Sequence, residues 1–76
     1  MEIFPGIDQN PDIRFGKPCL KGTRIDVATI IGVMAVGESE QTICQSYKVT
    51  PAQIKDALQY AAHISEYVPP ARRSVA

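Results

Sequence analysis

Four cations crowd one stretch of this 76-residue chain. Arg14, Lys17, Lys21 and Arg24 fall within eleven residues that hold no acid. Guanidinium and ammonium groups at that density suit the binding of phosphates or of an acidic partner, and the turns among them offer backbone amides for the same purpose. Gly16-Lys17-Pro18 is not a phosphate-binding P-loop, because the GxxxxG spacing is missing and proline stands where Ser or Thr would meet magnesium. A solvated hairpin whose lysines discourage edge pairing accounts for the same residues. A second basic pair, Arg72-Arg73, follows the double proline Pro69-Pro70.

The remaining reactive side chains have structural explanations. Cys19 and Cys44 are the only cysteines and His63 the only histidine, too few for a metal site with its usual close ligand spacing. The two thiols read as reduced and packed. Asp8 and Asp12 flank a proline turn, and Glu38 and Glu40 lie where a helix start favours negative charge. No nucleophile, base and orienting group fall into a triad, so the chain reads as a non-enzyme without metal or cofactor.

Composition narrows the class. Eight basic and eight acidic residues cancel, which excludes a strongly basic nucleic-acid binder while leaving a local patch. With 45% hydrophobic residues the chain is too apolar for disorder. The apolar run from Val27 to Val36 is about half of a membrane span, and Met1 to Gly6 lacks a signal peptide's basic start and apolar centre. A small cytoplasmic domain with no membrane role is expected.

The elements that must position the cations follow from breakers and caps. Over residues 1–25, Pro5, Gly6, Pro11, Gly16, Pro18 and Gly22 forbid a long helix and leave an extended arm. The segments 12–15, 19–20 and 23–25 are each long enough for a short strand, and one or two strands are expected among them, joined by turns at Gly16-Lys17-Pro18 and Lys21-Gly22. Three helices are expected over 26–68. Asp26 caps the first, whose apolar residues lie nearly all round and so place it centrally, and Gly37 ends it. Ser39 caps a short second helix with Ile43, Cys44 and Tyr47 inward. Thr50-Pro51-Ala52-Gln53 starts the third with a capping box. Its apolar face runs Ile54, Ala57, Leu58, Ala61, Ile64 and Val68, with Lys55, Gln59, His63 and Glu66 opposite. The expected core joins Ile30, Ile31, Met34, Ile43, Ile54, Leu58 and Ala61. Residues 69–76 form a tail. The fold expected is mainly α, a trihelical helix-turn-helix bundle preceded by a β-hairpin or strand region, within a single domain at 1–68. Residues 27–71 carry two more acids than bases, which makes the third helix a poor phosphate seeker.

The string Gly16-Lys17-Pro18-Cys19-Leu20-Lys21-Gly22-Thr23-Arg24-Ile25 is followed by an apolar helix and by Ser39-Glu40 and Thr50-Pro51 starts. With Ala57-Leu58-Gln59-Tyr60-Ala61 behind them, these features resemble the domain-of-unknown-function family 433 from about Ile13 to Ala62. The chain departs from it in carrying Phe15 where the family usually has glycine, Cys19-Leu20 for Val-Ile, and a shorter linker at Tyr47-Lys48-Val49-Thr50. The resemblance implies a homeodomain-like helix-turn-helix protein related to VapB-type antitoxins, which neutralises a PIN-like nuclease and binds operator DNA as a homodimer. On this reading Arg14, Lys17, Lys21 and Arg24 meet phosphates while Gln53, Lys55 and Gln59 face base edges. Arg72 and Arg73 enter the nuclease's carboxylate cluster, since guanidinium pairs with carboxylates bidentately. The competing reading keeps the fold as a protein-interaction module without nucleic-acid contact. For the dimer, the open strand edges of the arm are the expected pairing surface.

Overall fold

The structure, a computed structural model, describes residues 1–67. Strands β1 (Glu2–Phe4), β2 (Ile7–Asp8) and β3 (Cys19–Leu20) precede helices α1 (Val27–Ala35), α2 (Glu40–Tyr47) and α3 (Pro51–Ser65). Pro5-Gly6 folds β1 back onto β2. Gly6 sits at φ 81, donates its amide to Glu2 Oε2 at 2.8 Å, and lies so close to Asp56 that a Cβ would collide with that side chain. The sheet runs in the order β1-β2-β3, antiparallel throughout, with Ile7 opposite Leu20 and Asp8 opposite Cys19. Ile7 and Leu20 are fully buried and face α3 through the centre of the molecule.

Of the three segments long enough for a strand, where one or two strands are expected, only 19–20 forms one. Residues 13–17 instead make two overlapping turns, with Gly16 N–H donating to Ile13 O at 3.0 Å and Lys17 N–H to Arg14 O at 3.1 Å. Arg14 and Phe15 hold left-handed backbone, φ 51 and 58. The 23–25 segment is a tight return: Thr23 N–H bonds Leu20 O, and Leu20 N–H bonds Ile25 O. The chain at 25–26 does lie along β3's other edge, with an isolated antiparallel bridge between Cys19 and Asp26, but it passes at once into α1 and so forms no strand.

The helices begin where their caps predict. Asp26 Oδ1 accepts from Thr29 N–H at 2.7 Å, and Ser39 Oγ accepts from Thr42 N–H at 3.1 Å. Thr50 and Gln53 complete the capping box at 3.1 and 2.9 Å with Pro51 at the first helical position. Helix α1 ends with Gly37 at φ 96, whose amide bonds Met34 O while Glu38 N–H reaches Val33 O. Helix α2 ends similarly around Lys48 at φ 56. The bond from Val49 N–H to Cys44 O then turns Val49 into the core.

The core comprises Ile7, Leu20, Val27, Ile30, Ile43, Val49, Ile54 and Ala57. Ile30, Ile43 and Ile54 are buried as expected, Ile31 and Met34 pack at its margin, and Ala61 is half-buried. Leu58 is not part of it: the residue is 44% exposed. Helix α3 meets the sheet through Ile54 and Ala57, and Tyr60 closes the edge against Phe4 with ring centroids 5.5 Å apart. That leaves Leu58 on the flank with no element to cover it. Nor is α1 central. Val27 and Ile30 face inward, but Ala28, Gly32, Ala35 and Val36 face solvent because no element packs on that side. Three helices and a three-stranded antiparallel sheet are thus seen among the described residues.

Candidate functional site

The cation cluster is half neutralised. Arg14 donates from Nε and a terminal nitrogen to Asp26 Oδ2 at 3.4 and 3.3 Å, and Lys21 Nζ lies 3.2 Å from Glu2 Oε1. Asp26 is 2% exposed. Its carboxyl is held below the usual 3.8 first by hydrogen bonding from Thr29 and then by Arg14, which together outweigh the upward push of burial. Glu2 is lowered first by the Gly6 amide and then by Lys21. Lys17 and Arg24 form no ion pair among the described residues. Arg24 lines a hollow of about 250 Å³ with Asp8, Asn10, Cys19, Gly22 and Thr23. The Gly22 amide there already donates to Asp8 Oδ2 at 3.2 Å, so a resident carboxylate occupies the donor that an anion would use. Burial pushes the Cys19 thiol up from its usual 9.0, away from nucleophilic thiolate.

Much of the motif that carries the sequence resemblance is therefore scaffolding. Thr23 Oγ1 donates to Leu20 O at 2.8 Å and accepts from Ile25 N–H at 3.0 Å, and Pro18 O accepts from Val27 N–H to seat the start of α1. Lys17 and Arg24 are the exceptions, exposed and with no ion-pair partner among the described residues.

On α3, Lys55 and Gln59 are exposed one turn apart. Gln53 is half-buried, holds the capping box, and lies about 200° round the helix from Lys55, so one helix face cannot present all three. His63 stacks on Phe4, with centroids 4.9 Å apart and planes at 29°. Arg72 and Arg73 lie outside the described residues. Among those described, no group of three or more His, Cys, Asp or Glu could hold a metal ion, and no helix is long and apolar enough to cross a membrane.

Two features have no counterpart among the expected site residues. An almost wholly apolar groove of about 400 Å³ runs between α1 and the second half of α3, walled by Pro18, Val27, Ala28, Ile31, Ala61 and Ile64, with Tyr60 and Ser65 at its margins. From Ala62 onward α3 projects, every described residue being exposed, with Tyr67 at 70%. Periodicity signals an apolar face on α1 and α3 without showing that their partner layer is missing. Phe15, 96% exposed, is the most exposed large apolar residue, and a strand reading of 12–15 hides it.

A protein of Mycobacterium tuberculosis named "Putative antitoxin VapB45" is 34% identical over 53 residues, which cover 70% of this chain and 22% of that protein. The chain thus spans about a fifth of the length of the curated relative it matches. No solved structure gives a significant match. The family described as "Protein of unknown function (DUF433)" matches residues 7–61, from the central strand to the groove wall on α3, and the chain belongs to that family.

Proposed function

We propose that this protein is the antitoxin of a bacterial toxin–antitoxin pair, a non-catalytic binder that neutralises a PIN-like nuclease. The observation that carries the reading is the projecting end of α3. Residues 62–67 are all exposed, though His63 stacks on Phe4 and Ile64 is half-covered at the groove wall, and Tyr67 stands beside His63 and Glu66 around a shallow depression. A helix end displayed this way is an element made to lie in a partner's groove. The name of the Mycobacterium tuberculosis relative supports a toxin as that partner. In sequence, Arg72 and Arg73 follow this end after Val68-Pro69-Pro70-Ala71. A nuclease that binds magnesium through clustered carboxylates offers them a bidentate, charge-matched site.

Co-expression with the product of the adjacent reading frame tests this. The two proteins should co-purify, RNA cleavage by the partner should be suppressed, and Arg72→Ala/Arg73→Ala should weaken inhibition by tens of fold without changing melting. A neighbouring product that is no nuclease, or that ignores this chain, refutes the reading.

Operator binding is a second reading, favoured by Lys17 and Arg24, which have no ion-pair partner among the described residues, and by the short connection Lys48-Val49-Thr50 between α2 and α3. Lys17 and Arg24 would meet phosphates, with Lys55 and Gln59 toward base edges. Lys17→Glu/Arg24→Glu should then reduce the slope of log affinity against log salt by about 2. An unchanged slope favours the protein-interaction module without nucleic-acid contact.

A further inference from the structure

Strand β1 and the turn after it meet α3 along a single stripe. Gly6 packs against Asp56, and the Phe4 ring lies 5.5 Å from that of Tyr60 and 4.9 Å from that of His63, centroid to centroid. Asp56, Tyr60 and His63 stand at i, i+4 and i+7, one face of a helix. Against His63 the Phe4 plane is inclined by only 29°, a stack, while the Tyr60 ring is tilted by 59°. β1 is also tied down independently of α3. Gln9 N–H donates to Met1 O at 2.9 Å, Gly6 N–H to Glu2 Oε2 at 2.8 Å, and Lys21 Nζ to Glu2 Oε1 at 3.2 Å. The stack falls where α3 is losing its support. Ile54 and Ala57 are fully buried and Ala61 is half-buried, but every described residue from Ala62 onward is exposed. Beyond Ala61 the helix meets the body through His63 on Phe4 and through Ile64 and Ser65 at the groove. Both rings of the stack lie outside the 7–61 stretch that matches the family, so the contact joins two segments that this chain has beyond the family body. His63 also lines the depression with Ile64, Glu66 and Tyr67. One side chain thus stacks on β1 and borders the docking surface.

We propose that Phe4 is a positioning residue for recognition of the nuclease. Through its stack on His63, β1 holds the last turn of α3, and the His63–Glu66–Tyr67 depression with it, in the pose that the partner binds. This role rests on the toxin reading and extends it to β1, to which that reading assigns nothing. The last carbonyls of a helix have no intrahelical donors, and an exposed terminal turn frays. A frayed turn must be ordered on binding, and that ordering subtracts from affinity. A partner that meets a turn already held in place avoids the loss. An aromatic pair shifts such an equilibrium by ~2- to 10-fold.

Phe4→Leu keeps apolar volume against Tyr60 but removes the ring on which His63 stacks. In the free 76-residue protein, hydrogen exchange at the amides of residues 62–66 should speed up by ~2- to 10-fold, while the Ile30 and Ile54 amides keep their protection. Suppression of RNA cleavage by the product of the adjacent reading frame should weaken by a similar factor. His63→Ala removes the same contact from the other side. The double variant Phe4→Leu/His63→Ala should lose no more suppression than His63→Ala alone, because Phe4 acts through His63. Leu58→Ala, on the exposed flank of α3, should alter neither readout. Unchanged exchange at 62–66 in Phe4→Leu, or additive losses in the double variant, overturns the proposal. So does a Leu58→Ala protein impaired as much as Phe4→Leu, which would make overall stability the cause. Full suppression by Phe4→Leu beside a parent that suppresses overturns this role alone, whereas a parent that suppresses nothing refutes the toxin reading and this role with it.

Discussion

Asp26 is the buried charged residue among those described, and it ties two elements together, which Asp26→Ala should show. One carboxylate caps α1 through Thr29 at 2.7 Å and pins the 13–17 turn through Arg14 at 3.3 Å, from a position only 2% exposed. Losing an N-cap costs ~1 kcal/mol and up to ~2. The Arg14 side chain is half-exposed, so its pair is screened and adds at most ~1 kcal/mol. The total is ~1–3 kcal/mol, out of ~4–11 kcal/mol for a chain of this size. Thermal unfolding followed by circular dichroism should register a fall of roughly 5–20 °C. Because the folded-state carboxyl is held below its usual 3.8, its contribution is fully present above that value and fades as pH falls through the lower folded value. The gap between parent and mutant should thus be constant from pH 5 upward and narrow below about pH 4. A mutant that melts within ~2 °C of the parent at neutral pH, or a gap that widens on acidification, would refute this reasoning.

Further expectations concern packing and turns. Ile54→Ala should cost ~2–5 kcal/mol because Ile54 is fully buried, whereas Leu58→Ala should cost under ~1 kcal/mol from its half-exposed flank; equal losses in denaturant titrations would contradict the assigned core. Gly6→Ala should destabilise by at least ~1 kcal/mol in the same titrations, since φ 81 strains alanine and its methyl meets Asp56; an unchanged midpoint would mean that the Pro5-Gly6 turn relaxes freely.

The helices were legible in the sequence because their signals are local. Asp26, Ser39 and Thr50-Pro51-Gln53 each act within one turn of the helix that they start, and each caps where its residue type implies. The sheet was legible only in part, as an extended N-terminal region with a strand at 19–20. β1 and β2 are three and two residues long, split by Pro5-Gly6, and β2 pairs with a strand eleven or more residues away. The cation cluster misleads for a related reason. Arg14 and Lys21 meet carboxylates twelve and nineteen residues distant, so a run free of acid in sequence is only half free of acid in space. Leu58 shows the limit of periodicity, which marks an apolar face but not the width of what covers it. Phe15 lay hidden because left-handed backbone at a phenylalanine is set by the turns and by the pull of Asp26 on Arg14, not by its own preference.

The central claim, that α3's projecting end is a toxin-binding element, is tested most directly by titrating the purified product of the adjacent reading frame with this chain while following RNA cleavage. Tyr67→Ala is compared in parallel. The account predicts stoichiometric suppression of cleavage by the parent and loss of suppression by at least ~30-fold with Tyr67→Ala, at unchanged melting temperature, as for an interface anchor. Equal suppression by both proteins would contradict it.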